Sequence, residues 1–115
     1  MRYIMRTCAG RGHYAEQLID QLPEVEVCFD DIGGAMQCFI KSLKMAGNDA
    51  VVNMEDDIIL ASNFKSKIES AIAERPDSVI QFFSMRKTDL TIGSRWDAGR
   101  NYLMAQCTYF PAKIS

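Results

Sequence analysis

Three carboxylates stand side by side at Glu55, Asp56 and Asp57, between the apolar runs "AVVNM" and "IIL". Adjacent carboxylates repel one another, and burying one without a partner is costly. A strand end that keeps such a cluster either shares a cation or faces water. Mn²⁺ and Mg²⁺ prefer hard oxygen ligands and commonly take one or two carboxylates together with phosphate oxygens of a substrate. Residues two apart in an extended strand point to the same side. Glu55 and Asp57 are therefore the candidate metal pair, one for the ion and the other for a ribose or sugar hydroxyl, with Asp56 opposite.

The elements that must position these acids alternate along the chain. "RYIM" reads as a short buried strand, and Tyr14, Leu18, Ile19 and Leu22 follow at helical spacing until Pro23 closes the segment. Val25 to Phe29 alternates and is rich in β-formers, as a second strand should be. Gly33-Gly34 opens a helix whose expected apolar face is Met36, Phe39, Ile40 and Leu43, with Asp31 placed to cap its start and Gly47-Asn48 to end it. "AVVNM" is the third strand and delivers the acidic triplet at its C-terminal end. Ser62 or Asn63 is placed to cap a third helix with the stripe Phe64, Ile68, Ala71 and Ile72, which Arg75-Pro76 stops. "SVIQFF" and "NYLMAQCTYF" read as fourth and fifth strands, with a long loop over 84–100 between them. This alternation predicts an α/β fold: one compact domain over 1–115, with a mostly parallel sheet covered by helices on both faces. Ligands of such sheets bind outside the carboxyl ends of the strands, where the triplet falls.

Composition narrows the classes. The 115 residues suit a single core, and 48% hydrophobic with 24% charged residues is ordinary for a globular protein. A formal net charge of -2 gives no bulk attraction to nucleic acid or anionic membrane. No apolar stretch approaches the ~20 residues of a membrane helix. Arg6 and Arg11 interrupt the N-terminal segment where a secretory signal would be apolar, so a cytoplasmic location is expected. The four cysteines form no C-x-x-C pair and are expected to be small buried hydrophobes rather than zinc ligands or disulfides.

Across residues 33–60 the sequence resembles glycosyltransferase family 25, the lipopolysaccharide-type sugar transferases. The matching residues are Gly33-Gly34, then "CFIKSLK" from Cys38 to Lys44, then "VVNMEDDIIL". The family tends to carry Ser-His where this chain has Lys41-Ser42. More broadly, the order of elements resembles the glycosyltransferase A (GT-A) fold, a sheet that binds nucleotide-diphosphate sugars. The resemblance implies that Asp57, assisted by Glu55, binds Mn²⁺ or Mg²⁺ bridging the diphosphate of a donor, a UDP-sugar by preference. It also implies that the loop after the first strand meets the nucleotide, with Arg6, Thr7 and Arg11 facing uracil, ribose or phosphate, and that Asp30 accepts hydrogen bonds from base or ribose. Trp96 with Arg100 is a sugar or acceptor platform, or else a loop staple. Asp89 and Asp97 are the candidate general bases for an inverting transfer to an unknown acceptor. His13, the only histidine, reads as a helix-start residue.

The chain is short for that family. A minimal enzyme, a domain completed as a homo-oligomer, or a degenerate sugar-nucleotide-binding or interaction domain all fit the length. A nucleotidyltransferase would also use acids and a metal, but normally carries a more pronounced glycine-rich basic loop than "CAGRGH".

Overall fold

Apolar runs rich in β-branched and aromatic residues form the strands, and segments of helical periodicity connect them. The computed structural model describes residues 1–31, 33–58, 64–82 and 107–112. Their order is β1 (Arg2–Cys8), α1 (Gly12–Gln21), β2 (Glu26–Asp30), α2 (Ala35–Ala46), β3 (Val51–Glu55), α3 (Phe64–Glu74), β4 (Ile80–Gln81) and β5 (Cys107–Phe110). The chain is a compact α/β protein.

The strands form one sheet in the order β2-β1-β3-β5-β4. β1 pairs parallel with β2 and with β3, as strands joined through helices do. β5 pairs antiparallel with both β3 and β4, so it alone runs against the other strands. The sheet is thus mixed: four strands share one direction, in keeping with the expected mostly parallel sheet, and β5 is reversed. A strand that enters the sheet from the end where its predecessor left runs in reverse and needs no crossover helix.

Helices cover both faces. Leu18 and Leu22 at the end of α1, with Ile68 of α3, pack against Tyr3, Met5, Val52, Met54, Cys107 and Tyr109. On the other face Cys38 and Ala46 of α2 meet Ile4, Cys28 and Val51. The buried face of α2 is Cys38, Ser42 and Ala46; of the expected stripe, Phe39 and Leu43 are half-buried at its flank, whereas Met36 is 66% exposed and Ile40 45%. Apolar residues surround much of this helix, so periodicity alone fits two phases. Small side chains at i, i+4 and i+8 let the helix axis approach the sheet, and that settles the phase.

The turns follow sequence chemistry in part. Gly47 takes φ 61° and its N–H donates to the Lys44 carbonyl, ending α2 as expected. Asp31 does not cap α2, because the N-cap is Gly34; Asp30 instead accepts a hydrogen bond from the Gly33 N–H at 2.8 Å. α3 ends at Glu74, and the Pro76 carbonyl beyond it accepts the Tyr109 hydroxyl at 2.7 Å. The expected caps Ser62 and Asn63, the 84–100 loop and the first part of the expected fifth strand lie outside the described residues. Among the described residues no helix is long and apolar enough to cross a membrane.

Candidate functional site

β1 and β3 lie side by side at the centre of the sheet, and their register sets Arg6 beside Glu55. Their carboxyl ends therefore deliver the Arg6–Arg11 segment and the acidic triplet to one place. Strand alternation divides their side chains between the two faces. Ile4, Val51 and Asn53 face α2, which places Arg6 and Glu55 on that side, while Met5, Met54 and Thr7 belong to the other.

Asp56 has the most partners of the three acids. It is 5% exposed, and its Oδ2 accepts hydrogen bonds from Thr7 Oγ1 at 2.8 Å and Arg11 Nε at 2.8 Å. Oδ1 lies 3.0 Å from the same nitrogen. Burial by itself would raise the Asp56 carboxyl, but the bonds from Arg11 and Thr7 outweigh it and hold the group below its ordinary value. The same hydrogen bond to Asp56 raises the Arg11 guanidinium further.

Arg11 also reaches Asp57, at 3.4 Å, and lies over the Tyr14 ring at 4.6 Å. The expected division, Glu55 with Asp57 and Asp56 opposite, holds only between the first two acids. β3 ends at Glu55 and residues 56–57 form a turn, so Asp57 joins Asp56 around Arg11 instead of continuing the strand alternation. Asp57 keeps 46% of its side chain exposed. Glu55 is half-buried and has no hydrogen-bond or ion-pair partner among the described residues.

Arg6 is fixed from the α2 side. Its Nε donates to Asn53 Oδ1 at 2.8 Å, and its guanidinium lies 5.2 Å from the Phe39 ring centroid. Asn53 Nδ2 donates in turn to Ser42 Oγ at 2.6 Å, and Ser42 donates to the Phe39 carbonyl at 2.6 Å. Asn53 and Ser42 are fully buried. Neither was singled out for this role by sequence reasoning, although an asparagine inside "VVNM" is the kind of buried polar residue that demands partners. Lys41, next to Ser42, donates to the Phe29 carbonyl at 2.9 Å and pairs with Asp31 at 3.6 Å.

Of the three acids, Glu55 and Asp57 are the two that could offer oxygens to a hard divalent cation, Glu55 from the end of β3 and Asp57 from the turn beside Arg11. Among the described residues no three His, Cys, Asp or Glu side chains converge. Asp56 is already engaged by Thr7 and Arg11, so it supports the site from below. Of the other candidates, Arg6, Thr7, Arg11, Glu55 and Asp57 gather at these strand ends, and Asp30 stands at the end of neighbouring β2. Asp89, Trp96, Asp97 and Arg100 lie outside the described residues.

A concavity of about 350 Å³ sits at the opposite end of β1 and is lined by Arg2, Tyr3, Glu24, Glu26, Lys65 and Glu69. Its acids are paired: Glu26 with Arg2 at 2.5 Å, Glu24 with Lys65 at 2.7 Å, and Glu69 accepts the Tyr3 hydroxyl at 3.2 Å. These contacts join β1, β2 and α3. No protein-family model, curated protein or solved structure matches the chain.

Proposed function

We propose that this protein binds a nucleotide-diphosphate sugar, by preference a UDP-sugar, together with Mn²⁺ or Mg²⁺, and transfers the sugar to an acceptor as a compact GT-A-like domain resembling family 25. The observation that carries this reading is Glu55, a half-buried carboxylate without a side-chain partner among the described residues, two positions from the exposed Asp57 at the carboxyl end of a central strand. Carboxylates left available in such a position are suited to a cation. A bound cation would supply charge against the leaving diphosphate.

The chain's own residues have assignable parts. Asp57 and Glu55 hold the cation. Arg11, anchored through Nε to Asp56 and paired with Asp57 through one terminal nitrogen, would turn its guanidinium edge to a phosphate oxygen once Asp57 holds the cation. Arg6 and Thr7 shape the floor below the nucleotide, and Asp30 meets base or ribose. Trp96 and Arg100 would hold the sugar or acceptor, and Asp97 or Asp89 would take the acceptor proton.

A second reading is favoured by the position of Arg11, whose positive charge already lies between Asp56 and Asp57. In it Arg11 does the work of the cation, and the domain binds a nucleotide without metal and without transfer. Calorimetric titration of UDP and GDP, with and without Mn²⁺, separates the two. Metal-dependent binding that Asp57→Asn abolishes supports the first reading. Metal-independent binding that Asp57→Asn spares and Arg11→Gln removes supports the second. Absence of binding to both nucleotides refutes both.

A further inference from the structure

Cys28 of β2 and Cys38 of α2 face each other in the layer between sheet and helix. Their Sγ atoms are 3.9 Å apart, both residues are buried, and both thiols are free. Each thiol also reaches the other residue's backbone: Cys28 Sγ donates to the Cys38 carbonyl at 3.7 Å, and Cys38 Sγ to the Cys28 carbonyl at 3.9 Å. The two side chains are thus held against one another by the packing of α2 on β2. An S–S bond is ~2.05 Å long, so the sulfurs need to approach by roughly 1.9 Å. Side-chain rotation with a small shift of the helix can supply that.

We propose that Cys28 and Cys38 are an oxidative modification site, forming a reversible intramolecular disulfide that clamps β2 to α2 when the protein meets a peroxide. In the first step the thiolate sulfur of Cys38, the more accessible of the two, attacks a peroxide oxygen. The O–O bond breaks, hydroxide leaves, and Cys38 becomes a sulfenic acid. In the second step the Cys28 sulfur attacks the Cys38 sulfur, the S–O bond breaks, and hydroxide leaves again. With the two thiol protons the two hydroxides become water. The sum is two thiols and one hydrogen peroxide giving one disulfide and two waters, and a small thiol reductant returns the pair to its starting state.

The surroundings set how readily this happens. Burial first, then the neighbouring Cys28 and Asp30, push the Cys38 thiol up to about 11, against the opposing influence of Arg6. Cys38 therefore stays protonated at neutral pH and reacts slowly, so the site answers sustained oxidation and ignores brief exposure. The ring closed by the bond contains Asp30 and the Gly33–Gly34 turn, so the clamp stiffens the connection that carries Asp30 to the candidate site. The proposal stands independently of the sugar-nucleotide reading.

The test treats the full-length protein with hydrogen peroxide, quenches, and alkylates under denaturing conditions. The expected result is the loss of two of the four thiols and a cross-linked Cys28–Cys38 peptide pair, two hydrogens lighter, restored by dithiothreitol. Cys38→Ser should retain all three of its thiols apart from oxidation confined to half-exposed Cys8, and Cys8→Ser should cross-link as wild type does. All four thiols still alkylated, sulfinic acid at Cys28 or Cys38 without a cross-link, or a cross-link through Cys8 would each overturn the proposal.

Discussion

Asp56→Asn separates a supporting carboxylate from a ligand-binding one. Asparagine keeps the size of the side chain and one acceptor oxygen, which can still serve Thr7 Oγ1. Its oxygen, in the place of Oδ2, keeps the 2.8 Å contacts with Thr7 and Arg11 Nε, but its amide nitrogen replaces Oδ1 at 3.0 Å from the same Nε, donor against donor, and the charge that held Arg11 is lost. A hydrogen bond to a charged group contributes about 1.5–3 kcal/mol. Arg11 is partly exposed and can turn to water, which lowers the loss. The expected destabilisation at pH 7 is about 2 kcal/mol, or roughly 8 °C in Tm for a domain of this size. The pH dependence follows from the depressed Asp56 carboxyl. A folded-state value below the unfolded one contributes stability that is fully present above the unfolded value and lost as pH falls through the folded one. The difference between wild type and variant should therefore be constant from pH 7 to about 5 and shrink below about pH 4. Urea unfolding of both proteins across pH 7 to 2 measures it. Equal stability at pH 7, or a gap that persists undiminished at pH 2, would refute the assigned role.

Three further outcomes are expected from the fold. Asn53→Leu removes the acceptor of Arg6 Nε and the donor to Ser42 Oγ, and should cost about 2 kcal/mol in urea unfolding, with the native spectrum retained. Ala46→Leu should cost about 1–3 kcal/mol by crowding the face of α2 against the sheet, whereas Met36→Gln should stay within about 0.5 kcal/mol; the reverse order would mean that the helix is turned to its other phase. In native protein iodoacetamide should label half-buried Cys8 first, and Cys107, whose thiol burial pushes up to about 12, should resist until unfolding.

The β-rich runs and their turn residues made the first three strands readable, since Val, Ile, Met and Cys at "RYIM", "VEVCF" and "AVVNM" have few other places to go. Gly47 marked the end of α2 because a residue with positive φ is needed there. The phase of α2 was not readable, because it depends on which of two apolar arcs meets a sheet surface that no local pattern encodes. The reversed direction of β5 was hidden for a similar reason: alternation identifies a strand but not its polarity. At the candidate site the cluster of acids was visible, but their division of labour was not. Strand spacing carried Glu55 and failed at Asp57, where the chain turns. The pairing of Asp56 with Thr7 and Arg11 spans 49 and 45 residues of sequence, a contact that only the parallel docking of β1 on β3 creates.

The central claim is that Glu55 and Asp57 hold a divalent cation together with a nucleotide diphosphate. Electron paramagnetic resonance of Mn²⁺ titrated with protein, in the presence and absence of UDP, tests it on the metal itself. The account predicts that the free-ion signal falls when wild-type protein and UDP are both present, well beyond the loss caused by UDP alone. It predicts that Glu55→Gln weakens this effect and Asp57→Asn removes it, with both variants folded. A signal that wild-type protein leaves unchanged at saturating UDP, or that Asp57→Asn lowers as fully as wild type, would contradict the account.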